Sequence, residues 1–289
     1  MRRVSLWATS CLAAGAIVPA GAASADEKDR YTLFNPTPTD KLRPFNTDRP
    51  TKSNVPYTVD AGRFQYEGDF FIYGFDNTST PGATITSWTV GNPTFKLGLL
   101  NNVDVEVNFS AYNSIRATQV NNGAASAAQG FGETFTRFKW NLFGNDGDGP
   151  ALAFIPYAKW PTAPVSPAGT GNGYVEGGLI APLAVPLPGG FTAIVMGEID
   201  IVKNAFNDSY RVNLPALLNV NRTIFEGVTA YGEIYANWST DPRAPSIYTA
   251  DFAIAWQPRP NLQLDAGINI GLNAAAIPYQ IYVGIAQRF

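Results

Sequence analysis

The stretch VDVEVNFSA, residues 103–111, sets Val103, Val105, Val107 and Phe109 against Asp104, Glu106, Asn108 and Ser110. Alternation with a period of two marks an extended strand whose two faces meet unlike surroundings. LQLDAGINIGL (262–272) repeats it, with Leu262, Leu264, Ala266, Ile268 and Ile270 against Gln263, Asp265 and Asn269. So does the start of the patterned region, where Phe64, Tyr66, Phe70 and Ile72 oppose Arg63, Gln65, Glu67 and Asp69. Extending this reading predicts twelve strands, near 62–75, 84–100, 103–116, 131–143, 151–160, 174–187, 191–202, 209–220, 227–238, 247–257, 262–272 and 279–289.

The joints alternate in length. Tight ones such as Asn101-Asn102, 144–150, 188–190 and 258–261 follow even strands, and longer ones such as 117–130 and 161–173 follow odd strands. Short turns on one rim and long loops on the other is the arrangement of outer-membrane barrels. Charge placement decides between membrane and water. The expected lumen-lining residues are Arg63, Glu67, Asp69, Lys96, Asp104, Glu106, Glu133, Arg137, Lys139, Glu198, Asp200, Arg211, Glu233, Asp251 and Asp265, with Arg116, Lys159, Glu176 and Arg288 on the same face. All oppose the apolar set, as a bilayer would enforce, because a lipid-facing Lys or Arg at mid-depth costs roughly 2–4 kcal/mol.

A soluble β-sandwich or lipocalin-like barrel also alternates. Two features favour the membrane. Many strands run longer than globular strands, as a tilted bilayer crossing needs. Trp88, Trp140, Trp160, Trp238 and Trp256 fall near strand ends, where an interfacial girdle belongs. The fold expected is therefore all-β: a transmembrane antiparallel up-and-down barrel of about twelve strands, with an aromatic closing strand at 279–289. Pro156, Pro182 and Pro215 interrupt strands, and Trp88 and Val90 are out of phase with Phe95, Leu97 and Leu99; both are read as bulges or register shifts.

The remainder divides in two. Arg2 and Arg3, an apolar run from Val4 to Ala20 and Ala23-Ser24-Ala25 read as a secretory signal peptide over 1–25, with the mature chain starting at Asp26. Residues 26–61 hold Pro36, Pro38, Pro44, Pro50 and Pro56 without alternation and read as an extended arm. That arm either folds into the lumen as a partial plug, with Asp48, Arg49 and Lys52 meeting the wall, or hangs as a periplasmic leader. The barrel itself is expected over 62–289.

Composition narrows the chemistry. The 289 residues hold 20 Lys+Arg and 23 Asp+Glu, a net charge of −3, one cysteine and no histidine. Cys11 leaves with the leader, so no disulfide framework is expected. The charge offers no footprint for nucleic acid. Without histidine a Ser-His-carboxylate triad is closed off. No cofactor or metal is expected, since NDGDG (145–149) lacks the later Glu of a calcium loop and GTGNG (169–173) precedes no helix. Glu198 and Asp200 could act as an acid–base pair but serve equally as wall charges.

The ending YQIYVGIAQRF (279–289) resembles the carboxy-terminal signature of bacterial outer-membrane proteins, which implies recognition by the barrel-assembly machinery through Phe289. NTDRPTKSNVPYTVDAGRFQYEGDFF resembles a specific group, an outer-membrane transporter family labelled as a MetA-like pathway component of phenol degradation. Thr47-Asp48-Arg49-Pro50, Pro56-Tyr57-Thr58-Val59 and Gly62-x-Phe64-Gln65-x-Glu67 carry the resemblance, and 130–144 and 173–190 look like later blocks of it. It implies a barrel in outer-membrane lipid and a transport role, and brings no catalytic residues.

Twelve strands tilted about 40° give a backbone diameter of roughly 24 Å, enough for small solutes if nothing else fills the tube. Lys96–Glu106, Lys159–Glu176 and Asp200–Arg211 are expected as neighbouring inward pairs. Tyr73, Tyr112, Tyr157, Tyr174, Tyr231, Tyr235 and Tyr282 are expected on the same inner face, to guide a solute or to fill space. A channel for small organic solutes, aromatic compounds among the candidates, leads the functional readings. A plugged structural or adhesion barrel and an outer-membrane enzyme are the alternatives.

Overall fold

The computed structural model describes residues 28–165 and 169–289. The expected signal peptide, 1–25, and the start at Asp26 lie outside the described residues. Fourteen strand segments follow one another: β1 Phe64–Asp76, β2 Ala83–Leu100, β3 Val103–Phe109, β4 Tyr112–Gln119, β5 Ala125–Gly130, β6 Thr134–Phe143 and β7 Ala151–Trp160. Then come β8 Glu176–Leu187, β9 Phe191–Lys203, β10 Tyr210–Phe225, β11 Val228–Ser239, β12 Ile247–Arg259, β13 Leu262–Gly271 and β14 Tyr279–Arg288.

They make twelve staves. β3 and β4 both lie against β2, broken only at Ser110-Ala111, and β6 and β5 continue them on the next stave. From β6 onward each strand pairs antiparallel with its successor as far as β14, which pairs with β1. β1 also pairs with β2, so the sheet closes and leaves no long free edge. The Phe289 amide donates to the Phe64 carbonyl at 2.9 Å, and the two rings meet at a tilt of 37° with centroids 5.7 Å apart. The final aromatic thus sits on the closing seam.

The two faces differ as a bilayer requires. Ile199, Ile201, Leu218, Ile234, Phe252, Ile254, Ile281 and Val283 are all exposed on the outside. The five tryptophans at strand ends are exposed there too. Inside, ionised groups are buried: Lys139 and Glu106 are each 1% accessible and Asp104 and Asp251 are 0%.

Several local expectations change. Phe70 is unpaired on both sides, because the register steps from Asp69 to Phe71 against β2 and β14 alike. Opposite it Gly91 is skipped, at φ +66°, a conformation glycine adopts without strain. This double bulge reverses the in–out phase above it. Ile72, expected outside, turns inward, and Tyr73, expected inside, turns outward to Tyr279 at 6.5 Å. The bulge also accounts for Trp88 and Val90 sharing the outer face with Phe95.

Past Gly91, Tyr112 packs on Trp88 at 5.2 Å, and so faces outward rather than in. Arg116 lies opposite Thr86, two places from the Trp88–Ser114 pair, and shares that outer face. Residues 117–130, expected as a loop, instead carry most of a hairpin that lengthens staves three and four. The prolines end no strand. Pairing simply lapses between Leu152–Leu183 and Ile155–Ile180, beside Pro182, and between Asn213–Asp200 and Ala216–Gly197, beside Pro215.

Candidate functional site: the arm and the inner wall

Residues 28–63 have almost no regular structure beyond a short 3-10 turn at Thr39–Lys41. Five prolines remove donors and disfavour helix, so the arm's backbone needs partners from elsewhere. The wall supplies them. Its two limbs meet at the short-turn rim, where Thr37 N–H bonds the Ala61 carbonyl at 2.9 Å. There Arg43 Nε reaches Asp146 at 2.8 Å, and Arg288 Nη1 donates to the Arg43 carbonyl at 2.8 Å.

Between the limbs the chain rises into the barrel and turns at residues 48–55. Asp48 accepts from Lys139 at 2.9 Å and from Lys96, and its second role is to hold Val55 N–H at 2.7 Å across the turn. Arg49 is gripped from two strands. Its Nη1 meets Asp69 at 2.7 Å, and its Nε and Nη2 fork onto Asp265 at 3.1 and 2.5 Å, a bidentate geometry that fixes orientation as well as charge. Lys52 pairs with Asp251 and with Thr249 Oγ1 at 3.1 Å, below the Tyr235 ring.

Much of the acidic lining caps the arm's backbone. Glu67 accepts from Asp48 N–H at 3.0 Å, Glu233 from Lys52 and Ser53 N–H at 3.1 and 3.2 Å, and Asp104 from Val59 N–H at 2.8 Å. A non-regular chain buried in a tube has no ladder to satisfy its amides, and carboxylates answer that need. Two glycines make the close approach feasible. A Cβ on Gly98 would lie 2.1 Å from the Asp60 carbonyl oxygen, and one on Gly284 would lie 2.1 Å from Arg49 Nη2. Gly284 is paired with Asp69 on one side and Asp265 on the other, so the missing side chain is the slot that the guanidinium occupies. Neither glycine stands out in the sequence, because only the fold reveals what lies above them.

The arm itself is not a spanning segment. Burial alone would raise the Asp48 carboxyl, but the Lys139 and Lys96 ammoniums outweigh it and hold its pKa well below the usual carboxylate range. At the rim burial also opposes ionisation of Asp146, and Arg43 with Lys28 reverses the balance and lowers its pKa.

The remaining candidates spread over different heights. Arg63 lies at the short-turn mouth, donating to the Thr37 carbonyl at 2.6 and 3.0 Å. Glu106 is within 3.2 Å of Lys139 and 3.7 Å of both Lys96 and Arg137. Glu133 falls between β5 and β6 and accepts from the Ala163 and Asn172 amides at 3.3 and 3.2 Å, so it organises an outer loop. Glu198 and Asp200 share a face of β9, where Tyr157 donates to Asp200 at 2.6 Å. Lys96 lies opposite Glu106, and Lys159 bonds Glu176 at 2.9 Å. Asp200 does not meet Arg211. The β9–β10 turn pairs Lys203 with Tyr210, which sets Asp200 opposite Asn213 and Arg211 opposite Val202. Of the tyrosines, Tyr174 lies ahead of β8, under Lys203 Nζ at 4.4 Å, while Tyr157, Tyr231, Tyr235 and Tyr282 are on the inner wall.

The inner wall is two-sided. Strands β1, β2, β3 and β6 hold a dense cluster of buried charges and β11–β13 add Glu233, Asp251 and Asp265, whereas Ile155, Ile180, Met196 and Leu217 of β7–β10 form a buried apolar cluster flanked by Tyr157 and Tyr235. Two cavities lie against the arm. One of about 200 Å³ lies on the long-loop side, lined by Lys52, Asn92, Asn108 and Arg137 among others. The other, of about 290 Å³, lies toward the short turns against β8–β13. Asp48, Arg49 and Thr51 line both.

A closed twelve-stranded antiparallel barrel with a greasy exterior and an ionised interior is an outer-membrane β-barrel. The chain belongs to the family described as "Putative MetA-pathway of phenol degradation", whose model matches residues 47–289. The match therefore begins within the arm, just ahead of its apex. Among solved structures, the COG4313 outer membrane channel from Pseudomonas putida F1 is similar in fold. It shares 14% sequence identity at a TM-score of 0.56, with 78% of this chain and 94% of that chain covered. The NanC porin structure is matched at 9% identity and a TM-score of 0.48, over 78% of this chain and 98% of its own. No curated protein matches the sequence at a significant level.

Proposed function

We propose that this protein is an outer-membrane channel for small organic solutes, with residues 26–61 acting as a plug and residues 62–289 as the conducting barrel. The observation that carries this reading is that Asp48, Arg49 and Thr51, near the apex of the arm, line both a cavity toward the long loops and one toward the short turns. A purely structural barrel would have no use for these cavities; it could fill its interior with wall side chains, as eight-stranded barrels do. The plug pairs with the sheet at the rim through Thr32 and Leu33, but its apex at 48–55 is polar and held by wall side chains, so the apex can shift without opening the wall. Lumen charges such as Glu67, Lys96, Asp251 and Asp265 hold it. The family description supports an organic solute, and the absence of histidine from the sequence supports passage rather than hydrolysis. The route to the membrane is export by the 1–25 leader followed by assembly through Phe289.

Planar bilayers test the reading. The wild type gives small, intermittent conductance, and a chain lacking residues 26–55 gives larger, steady, ohmic steps. Heat-modifiable migration on gels checks that the shortened barrel has folded. Equal conductance from two folded barrels removes the plug, and silence from both removes the channel.

A further inference from the structure

The 290 Å³ cavity differs in kind from the rest of the lumen. Its wall comes from β8 to β13, near the short turns, and that wall contributes no charged side chain. Hydroxyls of Thr192, Thr223 and Thr229 and amides of Asn221, Gln257 and Gln263 face it instead. Phe45 and Tyr57 of the arm, with Tyr231 of β11, add aromatic surface, and Val55 and Ile194 add apolar surface. Among the described residues, the ionised groups that line it are Asp48 and Arg49 of the arm, and both are committed elsewhere. Asp48 is held by Lys96 and Lys139, and Arg49 by Asp69 and Asp265.

Resting on the channel reading above, we infer that this cavity is the solute-binding station, and that it takes uncharged, hydroxylated molecules of single-ring size. At the level of this cavity the solute path is then eccentric, running along the uncharged short-turn ends of β8–β13. Size supports a single ring, since a cavity of about 150 Å³ already accepts benzene and drug-sized sites start near 300 Å³. Hydroxyl and amide groups on the wall match solute hydroxyls, and aromatic faces match a ring, whether aromatic or sugar. A carboxylate entering here would shed water without gaining a free cation, so charge is selected against.

Calorimetric titration of the full chain in detergent, with phenol, glucose and benzoate at millimolar concentration, tests the inference. Phenol or glucose binds, and which of them binds tells an aromatic from a sugar station. Benzoate binds at least about tenfold more weakly, a difference of roughly 1.4 kcal/mol. Thr229→Trp fills the cavity and lowers neutral-solute affinity and liposome uptake by at least about tenfold. Thr223→Trp, on the neighbouring strand, does the same if the first variant fails to fold. Benzoate binding as tightly as phenol, no binding of either neutral solute, or full binding by a folded Thr229→Trp would each overturn the inference. Solute flux that persists without such binding leaves the channel standing and the station refuted. Binding by the wild type, with no flux through either the wild type or the arm-deleted chain, does the reverse.

Discussion

The two halves of the lumen wall hold the same arm by different physics. On the β1–β6 side, buried ammoniums and carboxylates meet Asp48 and the arm's backbone amides at hydrogen-bond distance. On the β7–β11 side, Glu233 takes the Lys52 and Ser53 amides and Asn219 bonds Thr51, but beside them lie the uncharged Ile155–Leu217 cluster, with an amide on the Met196 sulfur at 3.4 Å, and an ammonium over the Tyr235 ring. Buried ion pairs are directional, and removing one partner strands the other. Apolar packing is non-directional and tolerates sliding. The difference teaches which wall sets the arm's position and which lets something pass beside it.

The comparison breaks most sharply at Arg49. Arg49→Ala strands Asp69 and Asp265 and weakens arm docking by about 3–5 kcal/mol. Gly284→Val does the same from the wall by filling the guanidinium slot. Limited proteolysis near residues 44–57 and bilayer conductance both rise for either variant; an arm as protected as in the wild type would mean these pairs do not hold it. On the other wall, Leu217→Ala removes buried apolar volume and costs about 2–3 kcal/mol of barrel stability in denaturant unfolding. It leaves the conductance pattern unchanged, and an opened channel in this variant would erase the distinction between the walls.

Acid gives the smallest effect. Asp48 and Asp146 have folded pKa values below their unfolded ones, near 3.9. Their contribution to docking is complete above that value and is lost as pH falls through the depressed folded pKa values. Conductance is therefore flat from pH 8 to about 5 and climbs below about 4. A rise between pH 8 and 6 would point to other groups.

The strands were legible because lipid and lumen impose opposite demands on alternate residues, and VDVEVNFSA shows both demands in nine letters. Phase was lost where a backbone feature reverses it. Phe70 reads as an ordinary outward aromatic, yet as a bulge it sends Ile72 inward and Tyr73 outward, and only pairing to two neighbours reveals this. The hairpin within 117–130 was missed because small and polar residues carry no alternation where neither face meets lipid. Asp48, Arg49 and Lys52 were visible as charges in a proline-rich arm. Their partners were not, since Asp265 lies 216 positions from Arg49 and no local pattern links them. Gly284 was silent for the same reason.

The most direct measurement locks the arm in place. Thr51 Oγ1 lies 3.0 Å from Asn219 Nδ2 on β10, and Cys11 is the chain's only native cysteine. Thr51→Cys with Asn219→Cys, reconstituted in a bilayer, should form an intramolecular disulfide on oxidation and fall silent, and a reductant added to the same membrane should restore its intermittent conductance. Failure of the two thiols to join, or an oxidised protein that conducts as freely as the reduced one, would contradict an arm that stands in the lumen and governs passage through it.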